Sequence, residues 1–286
     1  MGGSLWIWIA MGLVGLGNAL VGRHLVLQRK SSLGDALAHV SFPSLISAVL
    51  ITHSLNPLSL FLASLLGAGL TLFLVQRLQS KGRLPEDLSI GVVFLSLFAL
   101  GVFLSSVYLR NSHIDVECLL FGELLYVPLE VTGLGGIPQS VALLLIAVGF
   151  LLVAEFLFGK TFLALNFERE KSRYHSTALN SLLYFLVSSL LIASFKIVGG
   201  LLVVAFLCIP ASLAKLRTST HRRFLVRTVV VALTLAWSGL GLGLAFNTNP
   251  AAAAAAWMFV VFIAVTLAFQ RPLRMTVGRR RHEAHS

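Results

Sequence analysis

The chain has 286 residues, 57% of them hydrophobic and 12% charged, with a mean hydropathy of +0.90 and a formal net charge of +11. A soluble domain carries about 25% charged residues, so this composition excludes a soluble globular enzyme or binding module and describes an all-α polytopic membrane protein. The positive charge does not point to nucleic acid, because the basic residues fall in short clusters between apolar runs, the pattern of positive-inside loops.

A bilayer is spanned by about 20 apolar residues in a helix, and nine stretches qualify: 5–22, 33–53, 57–75, 88–109, 137–158, 178–195, 197–214, 225–246 and 250–269. The start, Met1-Gly2-Gly3-Ser4, has no basic n-region and does not read as a cleaved signal peptide. The first stretch is therefore expected to span. Basic residues follow the first, third, fifth, seventh and ninth stretches, and only Arg110 and Lys196 fall on the other side. This predicts an N-terminus outside and a C-terminus in the cytoplasm, with a transmembrane domain over 1–270 and a basic tail over 271–286. Cys118 and Cys208 are too few and too far apart in sequence to form a disulfide framework.

The second stretch is the most informative. It contains Gly34-Asp35-Ala36-Leu37-Ala38-His39, then Pro43, in a run that is otherwise apolar through Ile51. In a helix, Asp35, His39 and Pro43 share one face. Proline lacks an amide hydrogen, so Pro43 withholds the helical bond from the His39 carbonyl. An acid inside a spanning helix costs roughly 2.5–3.5 kcal/mol on insertion scales and is a functional-site hypothesis by default. The competing reading is that Asp35 sits at the membrane edge and caps the helix after Ser31-Ser32. The seventh stretch repeats the device, with Gly200 and then Pro210 running the opposite way through the membrane. Proline-interrupted helices in two inverted halves point to a pathway at the repeat interface.

The segment 113–134 is partly apolar but carries Asp115, Glu117, Glu123 and Glu130 among Pro128, Gly133, Gly135 and Gly136 nearby. We read it as a short helix and re-entrant loop at the outer face, since non-helical backbone at that depth must be buried or line a watery cavity. With His53 and His113 it makes the outer side acidic and ligand-rich. Such a mouth concentrates cations; the plainer alternative is that these carboxylates only solvate a loop. After the fifth stretch, Asn166-Phe167-Glu168-Arg169-Glu170-Lys171-Ser172-Arg173-Tyr174-His175 mixes both charge signs, unlike the other inner loops, and suits a short helix docking on a soluble partner or a solvated connection. Gly159-Lys160-Thr161 ends like a phosphate-binding loop, but the required first glycine is Ala154 and no strand precedes it, so no nucleotide site is expected.

These motifs resemble the permease subunits of ABC importers for manganese, zinc and iron, over nearly the whole chain. Leu33-Gly34-Asp35-Ala36-Leu37-Ala38-His39 matches the family's signature, Leu120-Phe121-Gly122-Glu123-Leu124-Leu125 its outer segment, and Lys196 to Ala205 with Ile209-Pro210-Ala211 its late helix. Residues 166–177 resemble its coupling segment, although Glu168, Arg169, Ser172 and Ser176 replace the usual residues there. The resemblance implies the fold of the vitamin-B12-importer class with fewer helices. It implies a second permease subunit, identical or paralogous, two cytoplasmic ATPase subunits and an extracytoplasmic metal-binding protein, in a bacterial cytoplasmic membrane. The cargo is then a divalent metal ion, with no permanently bound cofactor and no catalysis by this chain. Asp35 and His39 are its implied pathway ligands. Phe167, Glu168, Glu170, Ser172 and Tyr174 are expected at the ATPase contact. The rivals are a proton-coupled carrier using Asp35 as relay, an intramembrane enzyme using the Asp–His pair, and the same ABC fold moving a metal chelate. The identity of the metal is not readable from these residues.

Overall fold

The computed structural model describes residues 2–28, 31–52, 57–108, 122–130, 136–167, 173–216, 218 and 220–283. The described chain is helical apart from short turns. Its elements are α1 (Gly2–Gln28), α2 (Ser31–Thr52), α3 (Pro57–Gly82), α4 (Glu86–Tyr108), a 3-10 turn (Val127–Leu129), α5 (Gln139–Phe167), α6 (Arg173–Lys215), α7 (His221–Ala245) and α8 (Pro250–Glu283). Among the described residues, seven helices are long and apolar enough to cross a membrane.

The helices begin where the sequence supplies start signals. Glu86 and Asp87 occupy the first turn of α4, at the positive end of the helix dipole. Asn249 Oδ1 accepts from the amides of Ala251 (3.0 Å) and Ala252 (3.4 Å), and Pro250 opens α8, where its missing amide costs nothing. Several helices outrun the apolar stretches that predicted them. α3 continues to Gly82, α5 to Phe167 and α8 to Glu283, because backbone bonding does not stop where apolar side chains do. The stretches 178–195 and 197–214 lie in α6, which is two helices meeting at a kink at Gly199, with φ 74° and ψ 165°. A side chain resists that conformation, so the Gly199-Gly200 pair, three residues past Lys196, is where the chain can break.

α1 and α6 are the centre of the molecule. Val14, Val21, Leu190, Leu202, Phe206 and Ala236 belong to one buried cluster that joins them to α5 and α7. A second cluster, with Phe42, Ile46, Leu60 and Phe195, joins α2 and α3 to α6, and Phe98 of α4 packs against it. With no water between apolar helices in lipid, close packing supplies the attraction, and small residues let backbones approach. Gly22 shows the limit: a Cβ there would lie 2.0 Å from the Leu207 carbonyl oxygen, so α1 and α6 touch backbone to backbone.

The outer segment, in its described part 122–130, is turns and a 3-10 turn rather than a span. Leu124 and Val127 are buried in the main cluster, whereas Leu125, Tyr126 and Leu129 are exposed. His53, His113, Asp115, Glu117, Glu168, Glu170 and Ser172 lie outside the described residues, as do the side chains of Asp35, Phe167 and Tyr174. The predicted coupling segment 166–177 runs from the last turn of α5 to the first turns of α6, with 168–172 outside the described residues.

Candidate functional site

α2 is continuous through Asp35, His39 and Pro43, which places the three positions at successive turns of one helix. Pro43 is buried against α4, where Gly101 offers no side chain; a Cβ on Gly101 would stand 2.7 Å from the Pro43 Cβ. The next turn is held from the other side, because a Cβ on Gly67 of α3 would fall 1.8 Å from Ser44 Oγ. Ser44 and Ser47 spend their hydroxyls on α2 itself, donating to the Val40 (2.9 Å) and Pro43 (2.8 Å) carbonyls. α2 is thus clamped between α3 and α4 at the level of its proline.

One turn before Pro43, the half-buried His39 ring meets two phenylalanines of α4. Its centroid is 5.4 Å from Phe94 at an interplanar angle of 36°, and 6.0 Å from Phe98 at 81°. Phe94 and Phe98 are 6.1 Å apart, and Phe98 also meets Phe42 at 5.5 Å. Among the described residues no group of three or more His, Cys, Asp or Glu side chains could hold a metal ion. The described part of the site is a sparse donor position, not a cage.

Two acids of the predicted outer segment, Glu123 and Glu130, lie among the described residues. Glu130 is drawn inward: Lys196 Nζ donates to its Oε1 at 2.8 Å, and Ser140 donates to it from the amide at 2.8 Å and from the hydroxyl at 2.5 Å. Burial pushes this carboxyl up, but the bonds from Lys196 and Ser140 and the ammonium charge together hold it below the ordinary carboxylate range. Glu123 is half-buried, and its amide donates to the Lys196 carbonyl at 3.2 Å. Gly122, at φ 78°, lies so close that a Cβ would be 2.4 Å from the Gly199 nitrogen. The outer segment is therefore fastened onto the break in α6 by Gly122, Glu123 and Glu130 together. Pro210 is buried ten residues beyond Gly200, in the continuous second half of α6.

A third group escaped the sequence reading. Arg23 is not a loop residue following the first helix, as the charge pattern suggested. α1 continues to Gln28, and the Arg23 side chain is 0% exposed. Arg23 Nη2 donates to Glu155 Oε1 of α5, and His24 Nε2 lies 3.0 Å from Glu155 Oε2. Arg23 Nη2 is also 3.2 Å from His24 Nε2, and its Nε donates to the Leu20 carbonyl at 3.3 Å. A single imidazole nitrogen cannot accept from Arg23 and donate to Glu155 at once, so the tautomer selects one of the two bonds. The signal for this triad was present as a lone acid, Glu155, inside the apolar run of the fifth stretch.

The chain matches the ABC 3 transport family over residues 4–270. It is 34% identical to the manganese transport system membrane protein MntD of Bacillus subtilis, over 79% of this chain and 78% of that protein. It is 28% identical to the chelated iron transport system membrane protein YfeC of Yersinia pestis, over 80% of this chain and 74% of that one. It is also 28% identical to the zinc transport system membrane protein TroD of Treponema pallidum, over 69% of this chain and 55% of that one. Its fold is similar to that of PsaBC from Streptococcus pneumoniae, solved in complex with Fab, with a TM-score of 0.78 and 20% identity over 93% of this chain and 91% of that chain.

Proposed function

The chain belongs to the ABC 3 transport family, and on that premise we propose that it is the membrane permease subunit of an ATP-driven importer for a divalent transition metal, manganese, zinc or iron. The observation that carries this reading is His39, set one turn after Asp35 on a helix with no other ionisable residue, in a chain whose relatives are named for manganese, zinc and chelated-iron transport. Carboxylate and imidazole donors suit Mn, Fe and Zn, whereas thiolate and thioether suit Cu(I). A pathway must also release what it binds, and two donors per subunit, doubled across a second permease copy or paralogue, give a site of that kind.

The remaining parts take their roles from this reading. The chain crosses the cytoplasmic membrane nine times in the manner of the vitamin-B12-importer class, with the N-terminus outside and the C-terminus, with its basic tail, inside. A metal-binding protein delivers cargo to the outer segment. With Glu130 committed to Lys196, reception falls to Glu123 and to His53, His113, Asp115 and Glu117. Two ATPase subunits dock on 166–177, where Phe167 and Tyr174 supply apolar anchors and Glu168, Glu170 and Ser172 the polar rim. Surface charge contributes little to such a contact, and tyrosine is a frequent hot spot.

The test is initial manganese uptake by cells carrying the full transporter, with ATP depleted or the proton gradient collapsed. Uptake is expected to follow ATP, to vanish in Asp35→Ala and His39→Ala while the complex still assembles, and to uncouple from ATP hydrolysis in Tyr174→Asp. Uptake that survives ATP depletion but falls with the proton gradient would establish the proton-coupled carrier instead.

A further inference from the structure

We propose that Phe94 and Phe98 of α4 are positioning residues for His39, forming an aromatic seat that fixes the direction in which the imidazole offers its lone pair to the metal. The proposal rests on the pathway reading of His39.

The seat is built from the backbone up. Phe94 and Phe98 are one turn apart on α4 and so present their rings on one face. The distance from α4 to α2 is set independently, by Pro43 against the bare backbone of Gly101. Within that spacing, Phe94 lies obliquely over the imidazole at 36° and Phe98 meets it nearly edge-on at 81°. Rings at two such different angles cannot both be kept by a freely turning imidazole, so rotation about its last torsion is restricted. Edge-to-face and tilted contacts of this kind are favourable in their own right. His39 and both phenylalanines are half-buried.

This matters because imidazole binds metal through a nitrogen lone pair lying in the ring plane. A ring turned away from the pathway is a poor ligand even when its position is right, and functional ligands have to be held within about 10–20°. Metal-binding histidines are generally oriented by a partner on their outer side, and losing that partner costs about 10–100-fold in affinity or activity. Here two hydrocarbon rings do the orienting. They compete for neither nitrogen, and they add no charge to a site that must let its cargo go.

The experiment measures the concentration dependence of manganese uptake in cells carrying the full transporter, with the amount of chain in the membrane determined for each variant. Phe98→Ala and Phe98→Leu are each expected to raise KM about tenfold while the maximal rate per chain changes less. Phe98→Tyr keeps the ring and is expected to stay within about twofold of the parent. Phe94→Ala shifts KM in the same direction. If the side chains only fill space, Phe98→Leu retains the parent KM and the loss appears as less chain in the membrane, which overturns the proposal. Should Phe98→Ala fail to reach the membrane, the leucine and tyrosine variants still decide it. His39→Ala separates the two levels of the argument: transport at the parent rate removes the pathway reading itself, whereas loss of transport in His39→Ala beside unchanged Phe98 variants removes only the seat.

Discussion

Removing Glu155 should be among the most destabilising single changes that leave the chain's volume nearly intact. The Arg23 side chain is wholly buried and the Glu155 side chain is 18% exposed, so Glu155→Leu strands a guanidinium in a dry interior. Leaving one member of a buried pair uncompensated costs about 3–5 kcal/mol, whereas replacing both members by apolar groups is often neutral or stabilising. The access of Glu155 to solvent softens the pair on one side only, since the charge left behind is the fully buried one. A loss of about 3 kcal/mol corresponds to roughly 6–12 °C in melting midpoint for a chain of this size class. The double variant Arg23→Met/Glu155→Leu should recover most of that loss, because His24 can remain neutral when no charge faces it. The assay is the melting midpoint of the detergent-solubilised chain, read for the parent, both single variants and the double. A Glu155→Leu midpoint within about 2 °C of the parent, or a double variant as damaged as the sum of the singles, would refute the claim that the triad is held by mutual neutralisation.

The close approaches of glycine give further tests. Gly199→Ala forces a side chain into a φ of 74° and should cost about 1–3 kcal/mol, seen as a lower midpoint and less chain in the membrane. Gly22→Ala places a Cβ 2.0 Å from the Leu207 carbonyl and should separate α1 from α6, lowering the yield of folded chain more than Gly149→Ala, whose Cβ meets nothing within 4 Å. The Glu130 contact has a signed dependence on pH. Its carboxyl is held low in the folded chain, so its contribution is complete above the unfolded value of about 4.3 and is lost as pH falls through the lower folded value. The midpoint of the parent should therefore fall more steeply with acid below about pH 4.3 than that of Glu130→Gln, and equal slopes would show that the Lys196–Glu130 pair does not stabilise the fold.

Much of the architecture was legible because lipid reduces folding to few choices. Apolar length marked where α3, α4, α7 and α8 run. What composition could not supply was the helix beyond the apolar stretch. α5 and α8 continue past it because hydrogen bonding along the backbone is indifferent to hydropathy. The position of the break in α6 was hidden for a related reason. Lys196 reads as the polar boundary between two helices, yet its long side chain reaches Glu130 while the helix passes through it, and the interruption waits for Gly199.

The site was legible in part, and the missing part has a single physical origin. A motif such as Asp35 to His39 is local, so helical spacing alone puts its residues on one face. The partners of those residues come from distant segments. Nothing in Phe94 or Phe98 distinguishes them from the other phenylalanines of the chain until α4 is laid against α2 with Gly101 under Pro43. Arg23 shows the same limit from the electrostatic side. Its charge was read as topology, an inner basic residue, when its guanidinium is consumed by an acid 132 residues away. Arginine or lysine near a helix end is consistent with either role, and the deciding signal is whether another helix carries an unexplained acid at matching depth. Glu155 is such an acid, and Glu130, at the end of the 3-10 turn, plays the same part for Lys196. In a membrane chain, then, the intramembrane acids are best paired with the nearest basic residues at the same level before those residues are counted toward orientation. Applied here, that rule removes Arg23 and Lys196 from the tally and leaves Arg110 as the only basic residue outside the clusters that follow alternate apolar stretches of the sequence.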